Sequence, residues 1–213
     1  FESCARVIDW SSFSNSNLDS INDNSLNMSH AFSLWVNLEE FPFIGQFTKT
    51  TLMTNAFRGC RTIKQFNSSY DHIDASNATS IQNIVEGCVS LTKLPDIKVR
   101  SLTSNSSLQT AFQNCHSLES IKLLGMIAGP ANGEYFRMFY GSYSLTTIDG
   151  VDFSFAGETS DYYQMFHTCR DINAIKFPGT FRAGYASPRI NVTVANHADI
   201  SGEYHITARL LQF

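Results

Sequence analysis

AFQNCHSLESI, residues 111–121, and MFYGSYSLTTI, residues 138–148, carry one pattern 27 positions apart: counting from Phe, a small residue stands fourth, Leu seventh and Ile tenth. Extended in both directions, the pattern yields seven segments that align without gaps. They are FESCARVIDW from Phe1, FSLWVNLEEF from Phe32, FRGCRTIKQF from Phe57, VEGCVSLTKL from Val85, FQNCHSLESI from Phe112, FYGSYSLTTI from Phe139 and FHTCRDINAI from Phe166. Successive starts differ by 31, 25, 28, 27, 27 and 27 residues, so the period settles near 27 in the C-terminal half. Self-similarity at such a period is the mark of a stacked-repeat architecture, and it governs every later reading.

Three columns are apolar. The first is Phe in six of seven units; the seventh holds Val7, Leu38, Ile63, Leu91, Leu118, Leu145 and Ile172; the tenth holds Trp10, Phe41, Phe66, Leu94, Ile121, Ile148 and Ile175. Met28, Ile81, Leu108, Tyr135 and Tyr162 stand four places before the first column and Leu52 five places before it, a spacing that predicts a short helical turn. Alternation of apolar and polar residues in LESIKL predicts a short strand after it. Connectors such as Asp71 to Thr79 and Arg100 to Ser107 are rich in Ser, Asn and Asp, as turns and helix caps require. The expected fold is therefore an α/β solenoid of about seven units over residues 1–178, because one unit alone cannot bury its columns and stacked neighbours can.

With 213 residues, 43% of them hydrophobic, the chain has ample material for a core. Only 16% are charged, the formal net charge is -4 and no run of like charge occurs, so a phosphate backbone would find little attraction and nucleic acid is not an expected partner. No membrane span is expected, since no stretch approaches about 18 uninterrupted apolar residues. Phe1 already occupies the first column, which makes the chain read as a piece of something longer.

Cys4, Cys60, Cys88, Cys115 and Cys169 all fall in the fourth column, where the other two units carry Trp35 and Ser142. One address for every cysteine points to a ladder of small buried side chains rather than to a reactive centre. Zinc would need converging pairs such as C-x-x-C or H-x-x-x-H, and neither spacing occurs, so no metal or cofactor is expected. Disulfides between neighbouring members stay open on separation alone, although the odd count and the Trp and Ser substitutions argue against systematic pairing.

MFYGSYSLTTI, MFHTCRDINAI, AFQNCHSLESI and AFRGCRTIKQF resemble the BspA-type leucine-rich repeats, which read M/A-F-x-x-C-x-S-L-x-x-L before a polar connector. The resemblance covers roughly residues 1–178; departures are the missing Cys in the second and sixth units, Val85 in place of Phe and the uneven early lengths. It implies a leucine-rich-repeat stack, with adhesion or recognition at a bacterial, protozoal or phage surface. It brings no catalytic residues with it, and a repeat scaffold indicates fold better than function.

If the apolar strand columns point inward, the residues flanking the tenth column face the concave surface. They are Asp9 and Ser11, Glu40 and Pro42, Gln65 and Asn67, Lys93 and Pro95, Ser120 and Lys122, Thr147 and Asp149, and Ala174 and Lys176. As a ligand face, Glu40, Gln65, Asn67, Lys93, Lys122, Asp149 and Lys176 offer mixed charge and no aromatic anchor, so a plain solvated surface competes with a binding one. A rival strip is Tyr140, Tyr143 and Tyr163, whose rings suit protein or carbohydrate contact, while Tyr135 and Tyr162 belong in the core.

An enzyme is not expected. The six histidines, at 30, 72, 116, 167, 197 and 205, share no column and no pairing with an acidic neighbour that suggests a base or triad, and neither G-x-S-x-G, a P-loop nor G-x-G-x-x-G occurs. The N-x-S/T sequons at Asn27, Asn67, Asn77, Asn105 and Asn191 are what a chain this rich in Asn, Ser and Thr yields by chance, and they matter only for a eukaryotic secretory protein.

Residues 179–213 leave the repeat. RINVTVAN and EYHITARLLQF alternate around the polar HADISG, a β-hairpin pattern that reads as a cap over the last unit or as a strand pair docking onto a larger assembly. Two function classes follow: a recognition module on an extracellular or virion surface, binding protein or carbohydrate, and a structural component of a phage virion or extracellular assembly.

Overall fold

A computed structural model of the chain describes residues 26–41, 50–66, 72–100, 102, 107–124, 133–150 and 164–169. The first unit, the connectors at 42–49 and 151–163, Ile172, Ile175 and the segment expected to form a C-terminal hairpin lie outside them.

Eight short strands lie in the described residues: β1 Leu26–Asn27, β2 Glu40–Phe41, β3 Thr50–Leu52, β4 Gln65–Phe66, β5 His72–Asp74, β6 Asp96–Lys98, β7 Ser120–Leu124 and β8 Thr147–Asp149. Every pairing is parallel: β1 with β3, β2 with β4, and β5, β6, β7 and β8 in one four-stranded order. Partners such as Glu40 and Gln65, Ile97 and Leu123, or Ile121 and Ile148 come from successive units. A parallel pair needs a long crossover between its strands, and one repeat length supplies it. Gln65 also bridges to Lys93.

The segment before and through each Phe differs from the helical turn expected from its spacing: no helix occurs among the described residues, and a run of overlapping β-turns takes its place. In the third unit the N–H groups of Ala56, Arg58 and Cys60 donate to the carbonyls of Met53, Asn55 and Phe57, three residues back. The alternate N–H groups, of Met53, Asn55, Phe57 and Gly59, donate instead to Ser80, Gln82, Ile84 and Glu86 of the next unit at 2.7 to 3.1 Å. Ile81, Asn83, Val85 and Gly87 repeat this toward Ser107, Gln109, Ala111 and Gln113. Beyond its first turn a helix satisfies its N–H groups four residues back within its own segment, whereas here the bonds alternate between the segment and its neighbour along the whole run. Here half of them join the units.

Two left-handed residues per unit make this possible. In the described turn runs they are His30 and Leu34, Asn55 and Gly59, Asn83 and Gly87, Thr110 and Asn114, Arg137 and Gly141, and Gln164 and Thr168, all with φ between 50° and 74°. Gly and Asn tolerate that region best, and each such residue ends a turn that a right-handed helix would continue. Turn runs and helices place apolar residues at similar intervals, which is why spacing alone misleads.

The buried columns form one core. Phe32, Phe57, Val85, Phe112, Phe139 and Phe166 are all buried, as are Leu38, Ile63, Leu91, Leu118 and Leu145. Phe32 stacks on Phe57 with centroids 5.3 Å apart, and Phe112, Phe139 and Phe166 stack in series at 5.7 and 5.3 Å. Val85 interrupts the series, and beside it Ile84 stands where the neighbouring units have Ala56 and Ala111, all of them buried. Four places before Phe57 the buried residue is Met53, not Leu52, which is only half-buried; the column keeps its spacing of four there. In the tenth column Phe41, Phe66 and Ile121 are buried, whereas Leu94 and Ile148 are half-buried at the margin.

Candidate binding surfaces

The fourth column is more than small and apolar. Cys60 Sγ donates to the carbonyl of Phe32 at 3.1 Å, Cys88 to Phe57 at 3.2 Å, Cys115 to Val85 at 3.2 Å and Cys169 to Phe139 at 3.0 Å. Ser142, where the column lacks Cys, makes the same bond to Phe112 at 2.7 Å. The backbone bonds of the turn runs point toward the following unit and these point back, so the two sets lace the stack in opposite senses. All four described thiols are free and buried. Burial pushes Cys115 and Cys169 up to about 12, and it raises Cys88 too, which also lies beside Cys60. Such thiols are poor nucleophiles, because the thiolate is the reactive form.

On the strand face Glu40, Gln65, Lys93, Ser120, Lys122, Thr147 and Asp149 are exposed, in rows set by the parallel register. Pro95 is half-buried, while Asp9, Ser11, Pro42, Asn67, Ala174 and Lys176 lie outside the described residues. Neighbours in these rows bond to each other: Gln65 Nε2 donates to Glu40 Oε1 at 3.3 Å, and Lys122 Nζ lies 3.6 Å from Asp96 and 3.8 Å from Asp149. Exposed pairs of this kind contribute roughly 0 to 1 kcal/mol each, so they favour a register without building a rigid pocket.

Asp74 is the buried exception. Its carboxylate accepts the Ser76 N–H at 3.0 Å, the Ser76 hydroxyl at 2.5 Å and the Lys98 ammonium at 3.0 Å, with His72 Nε2 at 4.0 Å. Burial alone would raise its pKa, but the Ser76 and Lys98 bonds outweigh it and hold the carboxyl below its ordinary value. Every contact is to its own strand, the turn that follows it or the neighbouring strand, which assigns Asp74 to structure.

On the turn face the two described strip tyrosines find partners one repeat away. Tyr140 stacks on His167 with centroids 5.1 Å apart and planes 7° from parallel, and Tyr143 stacks on His116 at 4.8 Å and 28°. Arg137 lies 4.9 Å from the centroid of Phe136 and 5.0 Å from that of Tyr140, and its Nε donates to Gln164 at 2.7 Å. Tyr143 is 40% exposed and Tyr140 half-buried; Tyr163 lies outside the described residues. Tyr135 is fully buried, and burial pushes its hydroxyl up to about 12. His116, His167 and Arg137 are the residues that sequence reasoning missed on this face. The signal was present, because His116 and Tyr143, like Tyr140 and His167, are one 27-residue period apart.

A polar ladder joins the turn runs of the third to fifth units. Asn83 Nδ2 donates to Asn55 Oδ1 at 2.8 Å, Thr110 donates to Asn83, and Gln82 Nε2 donates to Gln109 Oε1 at 2.6 Å. Among the described residues no three His, Cys, Asp or Glu gather as a metal ion would require, and no helix is long and apolar enough to cross a membrane. No family model, curated protein or solved structure matches the chain.

Proposed function

We propose that the chain is a leucine-rich-repeat solenoid that acts as a non-enzymatic recognition or adhesion module, displayed on an extracellular or virion surface and binding protein or carbohydrate through one face of the stack. The observation that carries this reading is a contrast within each unit. Buried columns repeat the same residue types, whereas the exposed rows built on them vary from unit to unit, as Glu40, Gln65, Lys93, Ser120 and Thr147 do on the strand face. A constant core carrying varied exposed rows is the arrangement by which a repeat scaffold can read a ligand across several units. Display at a surface rests on the resemblance to BspA-type repeats. The test is a binding screen of the purified chain against arrayed extracellular-matrix proteins and glycans, followed by substitution of Lys93, Lys122 and Asp149 together and, separately, of Tyr140 and Tyr143. Saturable binding abolished by one of the two sets supports the reading, and no binding to either array counts against it.

The second reading, a structural component of a virion or extracellular assembly, is favoured by the lateral pairing of outer side chains. Arg58 bonds Glu86 at 2.6 Å and Lys64 bonds Glu39 at 2.9 Å, each pair joining adjacent units. A surface occupied with holding its own units in register suits a scaffold. Native mass measurement separates the two, since a stable monomer fits an autonomous binding module and a defined oligomer or polymer fits the structural role.

A further inference from the structure

We draw no further inference here: the strongest candidate, the stacked ring pairs Tyr140 with His167 and Tyr143 with His116 on the turn face of the sixth and seventh units, belongs to the surface already described, and with an imidazole on each tyrosine nothing in the structure shows what else would cover it.

Discussion

Ser142 Oγ donates to the carbonyl of Phe112 just as Cys115 Sγ, one unit earlier, donates to the carbonyl of Val85. From the third unit to the seventh the fourth column therefore holds a small side chain with a donor, while Trp35 fills the same place in the second. Cys115→Ser is expected to cost less than about 1 kcal/mol, and Cys115→Val, which is apolar but has no donor, about 1 to 3 kcal/mol. Urea melts of the two variants check this; equal midpoints would show that the bond contributes nothing.

The stacked core carries a larger effect. Phe112→Ala or Leu118→Ala leaves a cavity in a fully buried column and is expected to cost about 3 to 5 kcal/mol. The exposed Lys93→Ala should stay within about 0.5 kcal/mol. Denaturant unfolding of all three, side by side, measures the contrast.

Val85 and Ile84 are expected to be coupled. Val85→Phe alone overpacks the core at a cost of about 1 to 3 kcal/mol. Adding Ile84→Ala recreates the Ala-Phe pair of Ala56–Phe57 and Ala111–Phe112, and should return much of the loss. A double-mutant cycle with no coupling energy would mean that the two positions pack independently.

Gly87 has φ 74°, and a Cβ built there would meet nothing closer than the Gly59 backbone at 3.8 Å. The penalty of Gly87→Ala is thus one of backbone conformation, about 1 to 2 kcal/mol. At Gly59 a Cβ would also lie 2.6 Å from Cδ2 of the exposed Leu34, whose side-chain end can swing aside, so Gly59→Ala should cost about as much as Gly87→Ala in thermal melts.

Stability should depend on pH at both ends. Asp74 is held below its ordinary value in the fold, so its contribution is present above the unfolded carboxylate value of about 3.9 and disappears as pH falls through the folded value. Asp74→Asn should flatten that acid limb. Cys115 and Cys169 are raised, so their contribution is complete below the unfolded thiol value of about 8.5. It is lost as pH rises toward the folded value of about 12, because the unfolded chain ionises first. Stability measured from pH 8 to 11 in Cys115→Ser should fall less steeply than in the parent, and equal slopes would contradict the burial of this thiol.

Much of the core was legible because burial repeats with the sequence. Phe, Leu and Cys recur at fixed places, and in the described residues those places are buried. The turn runs were not read from spacing, since Met53, Ala56, Phe57 and Cys60 satisfy a helical interval equally well. Half of the left-handed positions carry a chemical clue, with Asn or Gly at 55, 59, 83, 87, 114 and 141, but His30, Leu34, Thr110, Arg137, Gln164 and Thr168 take the same conformation without one. The surface was harder still. Tyr140 and Tyr143 were visible as rings, but their pairing with His167 and His116 needed the period applied to exposed residues as well as to buried ones.

By itself the sequence determined the period, the residues of each buried column and the common address of every cysteine, because these follow from which side chains water excludes. Only the tertiary structure decided how the backbone between them is satisfied. Alternate N–H groups of the turn runs bond to the next unit and the fourth-column thiols bond to the preceding one, and such bonds between residues 24 to 31 positions apart exist only once the units lie side by side.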